Sequence, residues 1–598
     1  MAFESVVFAG SMGLLLPLLI GYPLAVGLGL GRQLRAIGFA AALGLAVLLI
    51  ACRAAQVYWP IGVASPWILS GVMAFILLSW AARSVRANAW YLLVAHGKML
   101  CALAVAVIVA DVCLIAPILF GDALQFEGTR NADSFTFTSS ARYMLEHAFH
   151  GAADVSPEHP VYTISRGYFG TEAMQPRPAA EGLLAWFSAL GRRDPLYFYN
   201  ALQAAGVLLA GLSVLAFLPN GWRVRSLTTG LIVLVYALAC PMLWHVAINS
   251  NYANGLHLAA ATAYVALALV PRAIPSFLAG VLLLGSLLSG YPELLAVAGL
   301  ARVLGVLGYG FAVRSLRVVM TEAGWLIGEL ITAGLMLPWA AQGAWMVYRT
   351  TWTLTQVDAE LYGRMYAGMP LFGAALLVYL LRWRVMRQGD ATGKVRSLLG
   401  GVLMAFIVAQ VAMVACGFDY GGFKISEYFV TLLLGVLLLT LPVPGIRSPP
   451  ESGERWIHWA SALAIAFASI MVVASALMVR RAWRWSMVRR VTPDLVQLGK
   501  LLPALSDSKP VALGTTPQPF YYGMWVPYLT DVAVAHDFTR DPQAAGYLSP
   551  YLQSSGKSAA FYGEAELLLV IDAPDQPVAH PDAIAHFGSV YLLRKPPR

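Results

Sequence analysis

Apolar residues in this chain come in long blocks and seldom alternate with polar ones. Runs at 5–30, 36–52, 62–82, 98–120, 197–218, 227–248, 255–271, 274–290, 292–312, 318–340, 366–382, 398–416, 428–445 and 457–479 approach the roughly 20 residues a helix needs to cross a hydrocarbon core. The pattern predicts an all-α polytopic membrane protein of about 14 transmembrane helices. The first run lacks a basic flank and exceeds a signal h-region, so it reads as a retained helix. Two polar intervals break the series, one at 121–195 and one beyond 480. In the second, KPVALGT, DVAVAH, AELLLVID and GSVYLLRK read as short strands with helical stretches at 494–505 and 520–529. The expected organisation is therefore N-terminal transmembrane helices over 1–120, a large extracytoplasmic loop over 121–195, a transmembrane core over 196–480, and a C-terminal extracytoplasmic α/β domain over 481–598.

Composition sharpens this picture. Of 598 residues, 59% are hydrophobic and 12% charged, against about 25% charge in soluble domains, which excludes a soluble globular enzyme. The net charge of +9 does not point to nucleic acid, because the basic residues sit in short clusters between apolar runs. Arg32/Arg35, Arg83/Arg86, Arg223/Arg225, Arg272, Arg314/Arg317 and the cluster from Arg382 to Arg396 fall on every second connection. By the positive-inside rule those connections are cytoplasmic, so the N-terminus, the loop 121–195, the turns at 249–254 and 417–427 and the tail lie outside. The expected location is a bacterial inner membrane with the site facing the periplasm. The Arg-rich segment 480–490, with Trp483 and Trp485, is expected to lie on the membrane surface. Five cysteines fall within or beside apolar runs and make no CxxC pattern. No Gly-rich phosphate loop, GxSxG or HExxH occurs, which leaves nucleotide-driven pumping and the common hydrolase elbows without support.

Chemistry-bearing residues concentrate on the outer side. Asp122, Glu127 and Asp133 follow the fourth apolar run immediately; carboxylates at such a border are poorly solvated and suit a general base. The stretch D-S-F-x-F-x-x-S-A-R-Y-M-L that begins at Asp133 resembles the start of the first large outer loop in polytopic glycosyltransferases of the GT-C superfamily, among them the protein O-mannosyltransferases and lipid A aminoarabinose transferases. The resemblance implies a polyprenyl-phosphate-linked sugar as donor and an acidic residue that contacts the acceptor as base or as ligand of a divalent cation such as Mg or Mn. That role falls on Asp133, and Phe135 and Phe137 in the stretch that follows are expected to anchor it to the membrane surface. Those families pair two acidic residues where this chain has Ala132-Asp133-Ser134, and their loop follows the first helix, which leaves Glu127 as the competing base.

Further outer residues are His159, Arg166 and Arg177 in the loop, Glu293 beside Tyr291 at a helix mouth, and Asp419, Tyr420 and Lys424 in the turn GFDYGGFKISEY. Arginine binds phosphate in a fork and lysine acts as a point charge, so both suit a lipid-linked phosphosugar, although Arg–Glu pairing within the loop and snorkelling of Lys424 satisfy the same residues. The aromatic run 519–525 is either a sugar platform or core. The expected function is a membrane glycosyltransferase that moves a sugar from a polyprenyl-phosphate donor to a glycan, lipid or protein acceptor. A polysaccharide polymerase or O-antigen-type ligase would instead centre on Arg166 and Arg177. A secondary transporter would show repeated halves and ionisable groups at mid-membrane.

Overall fold

The computed structural model describes residues 2–31, 33–129, 133–148, 178–220, 227–341, 344–345, 368–383, 390–440, 453–507, 509–532, 534–535, 565–572, 578 and 580–596. Its helices are α1 (Ala2–Gly27), α2 (Leu34–Tyr58), α3 (Ile61–Ala81), α4 (Arg83–Leu114), α5 (Ala116–Phe120), α6 (Asp133–Glu146), α7 (Pro178–Gly191), α8 (Tyr199–Ser213), α9 (Leu227–Leu238) and α10 (Pro241–Ile248). They continue with α11 (Tyr252–Ala266), α12 (Ile274–Gly290), α13 (Pro292–Ala312), α14 (Leu316–Met336), α15 (Met369–Trp383), α16 (Asp390–Ala415), α17 (Asp419–Tyr428), α18 (Val430–Thr440), α19 (Gly453–Ser486), α20 (Pro493–Ser506) and α21 (Pro519–Thr530).

Among the described residues, 11 helical segments are long and apolar enough to cross a membrane, or 12 if the pair α17 and α18, bent by 40°, makes one span. The chain is a multi-pass, helical membrane protein. The difference from the expected 14 is one of length: the runs at 274–290 and 366–382 are helices of 17 and 15 residues, short for a hydrocarbon core of ~30 Å. Helix α4 also starts earlier than its apolar run, extending back to Arg83 through a kink at His96, whose φ of −131° departs from the helix.

The spans sort into an inner and an outer group. Helix α2 and the segments Tyr199–Phe217 and Tyr252–Leu269 are 83%, 100% and 89% buried, whereas α4 and α14 are each 17% buried and turn Leu, Val and Ile outward to lipid. Small residues let the inner helices approach. A Cβ on Gly21 of α1 would overlap the carbonyl of Ala40, and one on Gly44 of α2 would overlap that of Pro17. Close backbone contact of this kind replaces the hydrophobic driving force that lipid cannot supply.

The C-terminal residues form a second layer at one end of this bundle. Strands β3 (Val511–Leu513), β4 (Val534–Ala535), β5 (Leu567–Ile571), β6 (Ala585–Phe587) and β7 (Val590–Arg594) follow a two-stranded ribbon of β1 (Gln125–Phe126) and β2 (Arg490–Val491). The five-stranded sheet has the order β4-β3-β5-β7-β6, parallel through β5 and antiparallel beyond it. In the ribbon Gln125 pairs with Val491 and Phe126 with Arg490, which sews the outer loop to the tail. Helices α20 and α21 complete a core in which Tyr521, Trp525 and Tyr528 are buried, so the part of the aromatic run from Tyr521 to Trp525 is core.

Two surface expectations are corrected here. Phe135 is buried against Trp525 at a ring separation of 5.7 Å, and Phe137 against Tyr252 at 5.5 Å, so both anchor α6 to protein and neither reaches lipid. The segment 480–486 is not a separate surface helix; it continues α19, one helix of 34 residues, and belongs to the candidate span Ala462–Ser486. Beyond it, Arg490 donates to the carbonyl of Gly121.

Gly44→Val forces α1 and α2 apart and should cost roughly 1–3 kcal/mol or more of stability. Gly71→Val, in α3 where a Cβ meets open space, is the comparator expected to leave the melting temperature in detergent unchanged.

Candidate functional site

Within the bundle several polar side chains meet, most of them buried. Helix α17 begins after the left-handed Gly417 (φ 63°) and carries Lys424 and Glu427 three residues apart, hence on one face. Both are buried. Lys424 Nζ donates to Glu427 Oε2 at 2.9 Å and to Asn251 Oδ1 at 2.7 Å. Asn251 Nδ2 in turn donates to both Glu427 oxygens at 2.9 and 3.1 Å, Asn254 Nδ2 to Oε2 at 3.4 Å, and His245 Nδ1 lies 3.2 Å from Oε1. The turn between α10 and α11 makes this possible: Ser250 adopts φ 57°, a left-handed conformation unusual for a non-glycine residue. Its neighbours then point to different partners, Asn251 to Glu427 and Asn249 to Thr129, whose Oγ1 donates at 2.7 Å. Tyr291, at the mouth of α13, places its hydroxyl 3.2 Å from that of Tyr428.

Above this cluster stands a second carboxylate system. Glu127 is fully buried; Ser134 donates to its Oε1 and Arg489 approaches its Oε2 at 3.6 Å. Arg489 is itself fixed by Gln518 Oε1 through Nε and Nη2 at 3.2 and 3.0 Å and donates to the Thr129 carbonyl. Burial pushes the Glu127 carboxyl up to about 8, against the opposing pull of Arg489 and the Ser134 hydrogen bond; the Asp133 charge adds to the rise. The protonated form of Glu127 is therefore favoured despite its arginine neighbour.

Asp133 opens α6 one residue before Ser134 and remains partly exposed. A carboxylate in the first turn of a helix meets the positive end of the macrodipole. Its charge acts on Glu127, on Lys424 and on the buried Tyr199, so the start of α6 faces the Lys424–Glu427 cluster.

Of the residues singled out by sequence, Asp133, Glu127 and Lys424 are thus brought together. Glu293 is half-buried in the first turn of α13, two residues from Tyr291. Asp419 and Tyr420 open α17, with their side chains outside the described residues, and His159, Arg166 and Arg177 lie outside them altogether. Lys424 does not snorkel to water; it is a buried ion-pair partner. Asn251, Asn254, Ser134, Arg489 and Gln518 are site residues that sequence reasoning did not single out. The SNYANG turn, which places two asparagines between apolar runs on the outer side, was the available signal for the first two. Among the described residues no group of three His, Cys, Asp or Glu side chains gathers to hold a metal ion. Compared with known proteins, the chain matches no family profile and no curated sequence.

Because the folded chain keeps a proton on Glu127 that an unfolded chain releases near pH 4.5, stability should fall as pH rises from about 4.5 toward 8. Glu127→Gln, which cannot ionise, should flatten that part of a melting-temperature profile. Glu427→Ala leaves Lys424 buried without its closest counter-charge and should cost about 3–5 kcal/mol. Thermal melts should show the double variant Lys424→Met with Glu427→Leu losing less, because it removes both charges.

Proposed function

We propose that this chain is a membrane glycosyltransferase that takes a sugar from a polyprenyl-phosphate donor and transfers it to a glycan, lipid or protein acceptor. The observation that carries the reading is the position of Asp133: a partly exposed carboxylate at a helix start, beside buried Lys424 and Glu127, at one end of a bundle of spans. A lipid-linked donor reaches such a site from within the membrane and needs no nucleotide loop. On this reading the bundle is GT-C-like, the sheet and helices after residue 490 are an extracytoplasmic α/β domain, and the site faces the periplasm across a bacterial inner membrane.

The step we assign is base-assisted displacement. The acceptor oxygen bonds to the anomeric carbon, the bond from that carbon to the donor phosphate breaks with its electron pair leaving on polyprenyl phosphate, and the acceptor proton passes to Asp133. Asp133 is favoured over Glu127 on two grounds. Glu127 is sealed between Ser134 and Arg489, and burial raises its pKa so that the protonated form, which cannot accept, is favoured. Lys424 places a cation near the base, where it draws the donor phosphate inward; Arg166 and Arg177 are further candidates for that contact.

A secondary transporter is the second reading, favoured by one observation: Arg302 and Glu329 pair at 3.0 Å within the spans α13 and α14, where transporters carry ionisable groups.

Asp133→Asn keeps the side chain's size and hydrogen-bonding shape but removes its basicity. It should still bind donor and lose transfer by about 10²–10⁴-fold. Purified protein, a polyprenyl-phosphate sugar and membrane extract as acceptor source provide the assay, with Glu127→Gln expected to be milder. Wild-type transfer by Asp133→Asn alongside abolition in Glu127→Gln would move the base to Glu127. If neither substitution matters, the polymerase or ligase reading centred on the loop arginines takes its place.

A further inference from the structure

The helices that frame the candidate site carry a second polar cluster at their other end. Asn251, at the start of α11, touches the site; Arg272 lies beyond the far end of the same span. Lys394 begins the span Gly393–Ala415, whose far end leads into α17. Arg272 and Lys394 both pair with Glu322 of α14, Lys394 at 3.6 Å. Deeper in, Arg302 Nη1 donates to Glu329 Oε2 at 3.0 Å, Tyr264 donates to the same oxygen at 3.0 Å, and the Arg302 guanidinium stacks on the Tyr264 ring at 4.3 Å. A pocket runs along this row, about 260 Å³ including the open space at its mouth, lined by Arg272, Ser276, Arg302, Glu322, Glu329 and Lys394 among others.

Three cations line this pocket against two carboxylates, so one positive charge is in excess. The carboxylates are already committed: one Glu322 oxygen is shared by Arg272 and Lys394, and one Glu329 oxygen by Arg302 and Tyr264. Two guanidinium donors, Nε of Arg272 and Nε of Arg302, are buried with no acceptor among the described residues. A buried charge-bearing donor without an acceptor is costly, and a native structure normally answers it. The charges of Arg272 and Arg302 also repel Lys394. An anion with several oxygens relieves all three at once, since guanidinium forks and an ammonium are the groups that bind phosphate. The enclosed part of the pocket is about 10 Å³, room for one oxygen-sized group, and the rest is open at the mouth. Arg272 and Lys394 keep about a third of their surface open, 28% and 34%, so the mouth lies where a headgroup or a dissolved ion can enter.

We propose that the pocket formed by Arg272, Arg302 and Lys394, at the end of the bundle opposite the candidate site, binds one phosphate-class anion, supplied either by a lipid headgroup or by free phosphate. The assignment is independent of the transferase reading. It also gives Glu322 a definite role as the pocket's competing internal anion, holding the cations together when the ligand is absent.

The full chain in neutral detergent tests this by its melting temperature, titrated with inorganic phosphate and, separately, with micelles containing phosphatidylglycerol or phosphatidylcholine. A ligand that binds only the folded state raises that temperature as its concentration passes the dissociation constant. Phosphate also stabilises proteins generally by exclusion from their surface, so the readout is the difference between wild type and variants. Lys394→Gln should weaken the response about tenfold in ligand concentration, the scale of one charge-assisted hydrogen bond. Glu322→Gln, which removes the competitor, should strengthen it, and Lys500→Gln on the exposed face of α20 should leave it unchanged. A variant-sensitive response to phosphate alone identifies a free anion. A variant-sensitive response confined to the phospholipids, whether to both or to phosphatidylglycerol only, identifies a headgroup. If neither ligand gives a response that Lys394→Gln weakens and Glu322→Gln strengthens, the proposal is overturned.

Discussion

A carboxylate that water cannot reach must be answered by donors from the protein, and Glu427 is answered by four residues. Lys424 comes from its own helix, His245 from α10, Asn251 from the turn and Asn254 from α11. No single helix could satisfy it, so the positions of three are tied to one side chain. The left-handed Ser250, the offset of α17 from α18 and the inward aim of Tyr291 are all arranged around this requirement. In a medium of low dielectric such a network fixes geometry more firmly than apolar contact, because slippage by one position leaves a charge exposed to lipid.

The C-terminal layer contributes to the same face by a different kind of bond. Arg489 and Gln518 belong to the tail, yet they close over Glu127, and Phe135 of α6 belongs to the tail's hydrophobic core. Arg142, one turn before the end of α6, donates to the carbonyl of Tyr528 at 2.6 Å and pairs with Asp531 at 3.6 Å. The helix that presents Asp133 is therefore held from the bundle by Phe137 and from the tail by Phe135 and Arg142. A residue at its first turn is positioned by two layers, which is the rigidity a reacting group requires.

The spans were legible because lipid imposes one requirement on each of them, a block of apolar residues of fixed length, and that requirement is local in sequence. The fourteen apolar runs fall on the eleven spans, the bent pair and the two shorter helices. The destination of aromatic and basic residues at the border was not legible. Phe135 and Phe137 fit a lipid surface and a protein core equally well, and only the presence of Trp525 and Tyr252 decides between them. Arg489 reads as one more basic residue in a cluster, although its partner Glu127 lies hundreds of positions earlier. Lys424 and Glu427 could be read together from their spacing, while Asn251 could be connected to them only through the fold.

The ribbon of β1 and β2 has a consequence for the order in which the molecule can be completed. Gln125 emerges early in synthesis, yet it accepts from the Tyr521 hydroxyl 396 positions later, and β1 has no strand to pair with until residues 490–491 exist. Local contacts form as the chain is made, whereas such distant ones must wait. For most of its synthesis the chain is an inserted bundle whose loop carries an open strand edge and a buried-to-be Glu127 still in contact with water. The last fifth of the sequence closes that edge, so the face bearing Asp133 is finished only when the tail folds back over a loop made long before it.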